Sequence, residues 1–270
     1  MTILDQIVAH KYREVKERKS LYPAKMLEKS LYFRRRPISL TQSLKRKEMF
    51  GIIAEFKRKS PSRGIMNDSV TSGKVCFEYL QSGSSAVSVL TDSEFFGGSS
   101  ADLISARNHI DCPVLRKDFI VDEYQITEAR SIGADAVLLI TEMHRAERLE
   151  QLHRFARSLE LEVLVEVHDK KNISRIPYDA QMVGINCRNL ASFSVNIENL
   201  SQLIPLLPRD VVKVAESGIR SVADYQNLKN AGFDAFLIGE LFMNTPDPGN
   251  ACKTFISELK NINLFSDNTR

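Results

Sequence analysis

The chain contains eight short apolar runs that recur at intervals of about 20–30 residues. The runs are GIIAEF (51–56), SAVSVL (85–90), PVLRK (113–117), DAVLLI (135–140), EVLVEV (162–167), MVGIN (182–186), VVKVA (211–215) and DAFLIG (234–239). Between them lie stretches with helical spacing of apolar residues, such as 123–131, 145–159 and 222–230. Near-continuous apolar strands that alternate with helices are typical of a parallel sheet covered on its outside.

The number of runs favours a closed barrel over a doubly wound open sheet. Eight strands and 270 residues are typical of one α/β barrel, and no glycine-rich dinucleotide fingerprint follows the first run. Gly83, Gly133 and Gly232 each precede a new strand, as helix C-caps do. We therefore predict a single (β/α)8 TIM-barrel domain at 49–262, an N-terminal helical extension at 1–48 and a flexible tail at 263–270.

The first segment has the pattern of an amphipathic helix. Its apolar face is formed by Ile3, Leu4, Ile7, Val8, Tyr12 and Val15. The basic residues Lys11, Arg13, Lys16, Arg18 and Lys19 lie mostly off that face. The pattern predicts an amphipathic helix that packs through this apolar face.

Composition narrows the classes of partner. A net charge of +3, from 37 basic and 34 acidic residues, is too balanced to indicate a nucleic-acid-binding protein. The four cysteines form no CxxC pair, which fits a reducing compartment, and the five histidines lack metal-ligand spacing. No apolar run approaches the roughly 20 residues that cross a bilayer. We expect a cytoplasmic protein with no metal, no cofactor, no nucleic acid and no membrane partner.

Charged residues stand at the ends of several predicted strands, where the active site of a barrel lies. Glu55 and Lys57 are two apart on the first strand and therefore face the same way. The further charged or polar strand-end residues are Lys117, Glu166, Asn186, Arg188 and Glu216. So much charge in one barrel mouth is costly unless the groups pair with each other or with a ligand. The pattern therefore predicts an active site rather than isolated ion pairs at the rim.

The last two strand ends indicate a phosphate site. Ser217-Gly218 follows the seventh strand and Gly239 follows the eighth, where backbone N–H groups can approach an anion. Ser60, in the loop after the first strand, supplies a further donor near the same mouth. The glutamate at 240 would disfavour an anion unless its side chain points away.

These segments together resemble the indole-3-glycerol phosphate synthase family. The matching segments, in order, are IIAEFKRKSPSRG (52–64), VSVLTDSEFFGGS (87–99), PVLRKDFIVDEYQI (113–126), GADAVLLI (133–140), LVEVHD (164–169), GINCRNL (184–190), VKVAESGI (212–219) and FLIGELFM (236–243). The match covers the whole barrel, and the N-terminal helix is similar to the family's extra segment over the barrel mouth. The resemblance implies closure of the indole ring of 1-(2-carboxyphenylamino)-1-deoxyribulose 5-phosphate, with loss of carbon dioxide and water, in tryptophan biosynthesis.

The resemblance also implies a role for each site residue. Lys117 matches the general acid and Glu166 the general base, Glu55 holds Lys57, and Lys57 serves the substrate carboxylate or the leaving hydroxyl. Further implied roles are ribulose positioning by Asn186 and Glu216, an apolar pocket of Phe96, Phe119 and Leu138, a binding position at Arg188, and phosphate binding by Ser60, Ser217, Gly218 and Gly239. The partner is thus a phosphorylated small molecule, with weak association to other enzymes of the tryptophan pathway left open.

Two other functions fit a lysine-containing barrel with a phosphate site. A Schiff-base aldolase would use a barrel lysine as a nucleophile on a phosphosugar. A catalytically inactive barrel would only bind a phosphorylated metabolite as a sensor. The presence of both Lys117 and Glu166 argues against the sensor, because phosphate binding requires no acid–base pair.

Overall fold

Eight parallel strands close into a barrel within the described residues, 2–186 and 203–267, of this computed structural model. The strands are β1 (Ile52–Phe56), β2 (Ala86–Leu90), β3 (Val114–Lys117), β4 (Ala136–Ile140), β5 (Glu162–Val167), β6 (Met182–Asn186), β7 (Val212–Glu216) and β8 (Ala235–Ile238). Each strand pairs with its neighbour in sequence, and β8 pairs with β1 to complete the ring. The predicted TIM barrel is therefore confirmed.

Helices precede the barrel and connect most of its strands, and three of them coincide with the amphipathic stretches identified in the sequence. The helices are α1 (Ile3–Leu21), α2 (Ala24–Leu27), α3 (Leu40–Leu44), α4 (Ser72–Ser82), α5 (Ser100–Arg107), α6 (Glu123–Ser131), α7 (Ala146–Ser158), α8 (Val222–Asn230), α9 (Glu240–Met243) and α10 (Pro248–Asp267). Short 3-10 helices occupy Leu31–Arg34, Thr141–Met143, Lys170–Arg175 and Ile204–Leu206. None of the helices in the described part of the chain is long and apolar enough to cross a membrane.

The barrel interior is filled by alternate residues of the strands, while the intervening residues face the helices. Ile53, Leu115, Leu164 and Val214 belong to one fully buried interior cluster. Leu40 of α3 packs into the same cluster. Since Thr41 N donates to Glu162 at the start of β5, α3 closes the amino-terminal end of the barrel.

The same alternation places the predicted catalytic residues at the carboxyl-terminal end of the interior. Each lies two residues after an interior apolar side chain, so it faces inward one layer higher. The pairs are Ile53 and Glu55, Leu115 and Lys117, Leu164 and Glu166, and Val214 and Glu216. The strand periodicity therefore brings four charged residues from four strands into one layer.

Helix α1 lies against the open end of the barrel. Ile3 and Ile7 line the cavity at that end. Lys11 is completely buried, and its Nζ lies 2.9 Å from carboxylate oxygens of both Asp92 and Asp118. Lys11, which the sequence pattern places off the apolar face, is thus buried and anchors the extension through ion pairs with the loops after β2 and β3.

Candidate active site

A cavity of about 680 Å³ opens at the carboxyl-terminal end of the barrel. Every strand contributes to its lining directly or through the residues that follow it, and α1 contributes its first turns. All of the predicted site residues line the cavity except Arg188, which lies outside the described residues. Within the described part of the chain, no group of three or more histidine, cysteine, aspartate or glutamate side chains is arranged to hold a metal ion.

Lys117 is the centre of the charged cluster on the cavity floor. Its Nζ lies 3.0 Å from Glu166 Oε2 and 3.0 Å from Glu216 Oε2, so one ammonium contacts two carboxylates. Both glutamates are almost fully buried. Gly184 on β6 makes room for Glu216, because a Cβ at that position would lie only 1.9 Å from Glu216 Oε1.

The pKa values in this cluster diverge. Burial alone would lower the pKa of Lys117, but the charges of Glu166 and Glu216 outweigh it and hold that pKa well above its ordinary value. Burial would raise the pKa of Glu166, yet Lys117 and His168 together hold it well below the usual range. Burial and the Glu166 charge raise the pKa of Glu216 to about 7. The site thus combines a firmly protonated amine, a firmly ionised carboxylate and a carboxyl group that titrates near neutral pH.

Lys57 and Glu55 form a second ion pair on β1 and the residues that follow it. Lys57 Nζ lies 2.7 Å from Glu55 Oε1. Glu55 packs closely against the backbone of Gly239, where a Cβ would lie 2.7 Å from the same oxygen. Glu55 therefore fixes the position of Lys57, and Gly239 leaves the space that Glu55 needs.

An apolar wall lies on one side of the cavity. Phe96 and Phe119 contact each other with ring centroids 5.7 Å apart, and Leu138 lines the cavity with them. Asp92 accepts a hydrogen bond from the Phe96 backbone N–H at 3.0 Å, which fixes the loop that carries this ring. The wall suits a flat aromatic group, and Ile7 of α1 adds a further apolar side chain to the cavity lining.

Small residues and a tight turn lie at another part of the lining. Ser217 and Gly218 both have positive φ, of 67° and 78°, so the chain turns sharply directly after β7. Ser60 and Gly239 line the cavity as well. Successive residues in such a turn can direct backbone N–H groups toward one anion.

The carboxylate of Glu240 does not stand alone beside this turn. Arg63, in the loop after β1, contacts Glu240 Oε1 at 2.8 Å. This ion pair offsets the negative charge that the sequence placed next to the predicted phosphate site. The contact between Arg63 and Glu240 was not predicted from the sequence, because it depends on how two distant loops meet.

His168 also lines the cavity, although it was not among the predicted site residues. His168 Nε2 lies 2.6 Å from Glu166 Oε1, on the carboxylate oxygen that Lys117 does not contact. The signal was present in the sequence, because His168 is two residues beyond Glu166 and therefore follows the inward-facing alternation.

Comparison with known proteins places the whole barrel in one family. The family model described as indole-3-glycerol phosphate synthase matches residues 4–255. An indole-3-glycerol phosphate synthase from Bacteroides thetaiotaomicron is 41% identical over 261 residues, covering 96% of this chain and 99% of the relative. One from Campylobacter fetus is 42% identical over 257 residues, covering 95% of this chain and 100% of the relative.

Solved structures with low sequence identity share the fold. A 3-hexulose-6-phosphate synthase from Salmonella typhimurium superimposes with a TM-score of 0.60 at 15% identity, over 78% of this chain and 99% of that one. That likeness concerns the barrel alone. Because the family model spans nearly the full chain and the relatives match at over 40% identity, the chain belongs to the indole-3-glycerol phosphate synthase family.

Proposed function

We propose that this protein closes the indole ring of 1-(2-carboxyphenylamino)-1-deoxyribulose 5-phosphate and releases indole-3-glycerol phosphate, carbon dioxide and water. The reaction is a carboxy-lyase step of tryptophan biosynthesis, and family membership supports it. The observation that carries the proposal is the contact of Lys117 with both Glu166 and Glu216 in one cavity. An apolar wall and a sharp serine–glycine turn line the same cavity, as a substrate with an aromatic ring and a phosphate requires.

Ring closure is the first step, and we assign Lys117 to it. The aromatic carbon that carries the carboxylate attacks the ketone carbon, and the ketone oxygen gains negative charge. A protonated amine beside that oxygen stabilises the charge and donates a proton. The raised pKa of Lys117 keeps it in the required ammonium form.

Decarboxylation and dehydration follow. Loss of carbon dioxide restores the aromatic ring and needs no cofactor. The new hydroxyl then leaves as water, with one group protonating it while a base removes a proton from the neighbouring methylene carbon. We assign Glu166 as this base. Lys57, which Glu55 holds in place, would contact the substrate carboxylate or the leaving hydroxyl.

Other residues bind the parts of the substrate that do not react. Phe96, Phe119 and Leu138 would hold the aromatic ring, and Asn186 with Glu216 would position the ribulose hydroxyls. We assign the phosphate to Ser217, Gly218, Gly239 and Ser60, with Lys57 nearby. Arg188 is proposed as a further binding residue on the family resemblance alone.

We propose a cytoplasmic enzyme with no cofactor and no nucleic-acid partner. The barrel domain at 49–262, the extension at 1–48 and the tail at 263–270 remain the proposed boundaries. Weak association with other enzymes of the tryptophan pathway also stays a prediction, to be tested by co-sedimentation with those enzymes.

A Schiff-base aldolase is the less favoured candidate. Its lysine must be neutral to attack a carbonyl, whereas the two carboxylates around Lys117 stabilise the ammonium form. Borohydride reduction in the presence of a phosphosugar distinguishes the two functions. Covalent attachment of the sugar to Lys117 would favour the aldolase.

Indole fluorescence tests the proposed function directly. The chain contains no tryptophan, so the protein contributes no indole background. Purified protein is mixed with the carboxyphenylamino-deoxyribulose phosphate in the presence of a chelator, and we expect the indole signal to grow. No signal from folded protein would contradict the reaction and favour the sensor function. An indole signal that appears only without the chelator would contradict the prediction that the reaction needs no metal.

A further inference from the structure

Glu166 is held from both sides by positively charged or protonatable groups. Lys117 Nζ lies 3.0 Å from its Oε2, and His168 Nε2 lies 2.6 Å from its Oε1. Each carboxylate oxygen therefore has its own partner, and the plane of the carboxylate is fixed. His168 follows directly after β5, and its side chain is 23% exposed at the cavity lining.

A separate carboxylate holds the backbone of His168 in place. Glu142 Oε1 accepts hydrogen bonds from the backbone N–H groups of His168 at 3.0 Å and Asp169 at 3.2 Å. The same oxygen accepts a hydrogen bond from Asn172 Nδ2 at 2.8 Å. The loop after β5 is thus tied to the end of β4, and the imidazole has a defined place beside Glu166.

We propose that His168 is a positioning residue of the reaction: its imidazolium keeps the Glu166 carboxylate ionised and oriented between Lys117 and the substrate. This inference rests on the proposed function. The geometry gives His168 no contact with Lys117, so its influence on proton transfer passes through Glu166. A catalytic carboxylate that is free to rotate would lose the alignment with the substrate on which such a proton transfer depends.

The charged groups around His168 favour its protonated form. Burial would lower the pKa of His168, but Glu166 in direct contact, together with Glu142 and Glu216, raises it to about 9. Lys117, from β3, is the opposing cation, and it contacts Glu166 and Glu216. By linkage, the His168 charge helps to hold the pKa of Glu166 low. Removing the His168 charge should therefore move the acid limb of the pH–rate profile to higher pH.

The test is the pH dependence of kcat in His168→Gln, with His109→Gln as the matched control. Glutamine retains an N–H donor but cannot carry a charge. His109 is exposed, follows α5 and does not line the cavity. We expect His168→Gln to lower kcat about 10-fold to 100-fold. We also expect the acid limb to rise by about one pH unit. His109→Gln should match the wild type.

A measurement without substrate separates this inference from the proposed function. The imidazole of His168 is titrated by NMR in the wild type and in Glu166→Gln. We expect titration near pH 9 in the wild type. In the Glu166→Gln variant we expect it to fall by about 1–3 units, because the nearest negative charge is lost.

Two results would overturn the role of His168. One is a His168→Gln enzyme whose acid limb matches that of the wild type, whatever its kcat, since a purely structural role lowers the rate at every pH. The other is an imidazole that titrates at its ordinary pH in both proteins. If the wild type does not turn over the proposed substrate, the proposed function fails, while the NMR titration still decides the His168–Glu166 pair.

Discussion

Replacing Gly184 by alanine should lower the activity, although the substitution replaces no charged residue. Gly184 lies on β6, opposite Glu166 on β5 and Val214 on β7 in the two ladders. Its Cα faces the barrel interior, where an added Cβ would lie 1.9 Å from Glu216 Oε1 and 3.0 Å from Glu216 Cδ. Because two such atoms cannot approach this closely, the Glu216 carboxylate must move.

The size of the effect follows from that distance. To reach the shortest contact that a Cβ tolerates, 3.0 Å, Glu216 Oε1 must retreat by roughly 1 Å. The other oxygen of the same carboxylate contacts Lys117 at 3.0 Å, so the retreat disturbs that contact as well. A misplacement of about 1 Å near the reacting groups costs about 100-fold in rate, or about 3 kcal/mol of transition-state stabilisation.

Indole fluorescence under steady-state conditions measures the loss, and thermal unfolding measures any damage to the fold. Overpacking one methyl group costs about 1–3 kcal/mol of folding free energy. Gly249→Ala is the matched control, because its Cβ would lie 2.4 Å from Glu78 Oε2, which does not line the cavity. Gly184→Ala should lose activity and Gly249→Ala should keep it. A Gly184→Ala enzyme with wild-type kcat would refute the claim that Glu216 must stay in its place.

Three further predictions concern the anchor, the titration and the phosphate. Lys11→Met should cost about 3–5 kcal/mol in urea unfolding at neutral pH, because buried carboxylates lose their cation, whereas the exposed Lys16→Met should be near neutral. The melting temperature of Glu216→Gln minus that of the wild type should increase as the pH rises from about 5 to about 8. Because the pKa of Glu216 is raised to about 7 in the folded protein, its protonated form stabilises the fold. This contribution is complete below the pKa of the unfolded chain, and the wild type loses it as the pH rises through about 7. Ser217→Ala should raise KM, and the inhibition constant of inorganic phosphate, about 10-fold with little change in kcat; an unchanged KM would contradict the phosphate assignment.

The barrel and its charged layer could be predicted because both depend on local periodicity. An inward-facing strand position repeats every two residues, so Glu55, Lys117, Glu166 and Glu216 could be placed on one side of the sheet. The fold then determines that parallel strands share one carboxyl-terminal end. The same rule extends to His168, which was not predicted as a site residue because the histidines lack metal-ligand spacing.

Contacts between distant segments could not be predicted in this way. The helical pattern places Lys11 off the apolar face, yet Lys11 is buried. Its carboxylate partners, Asp92 and Asp118, lie about 80 and 107 residues further along the chain. Arg35 is one of three consecutive arginines, Arg34 to Arg36, a pattern typical of solvated surface. It nevertheless forms an ion pair with the buried Asp135. Such pairs depend on how the extension docks on the barrel, which no local spacing encodes.

The most direct test of the central claim is a single-turnover indole fluorescence measurement on Lys117→Ala beside the wild type. Circular dichroism and thermal unfolding establish that the variant is folded. We expect a fast indole signal from the wild type and nearly none from Lys117→Ala, because no other ammonium contacts both Glu166 and Glu216 among the described residues. A folded Lys117→Ala enzyme that forms indole at the wild-type rate would show that Lys117 is not the general acid of the reaction.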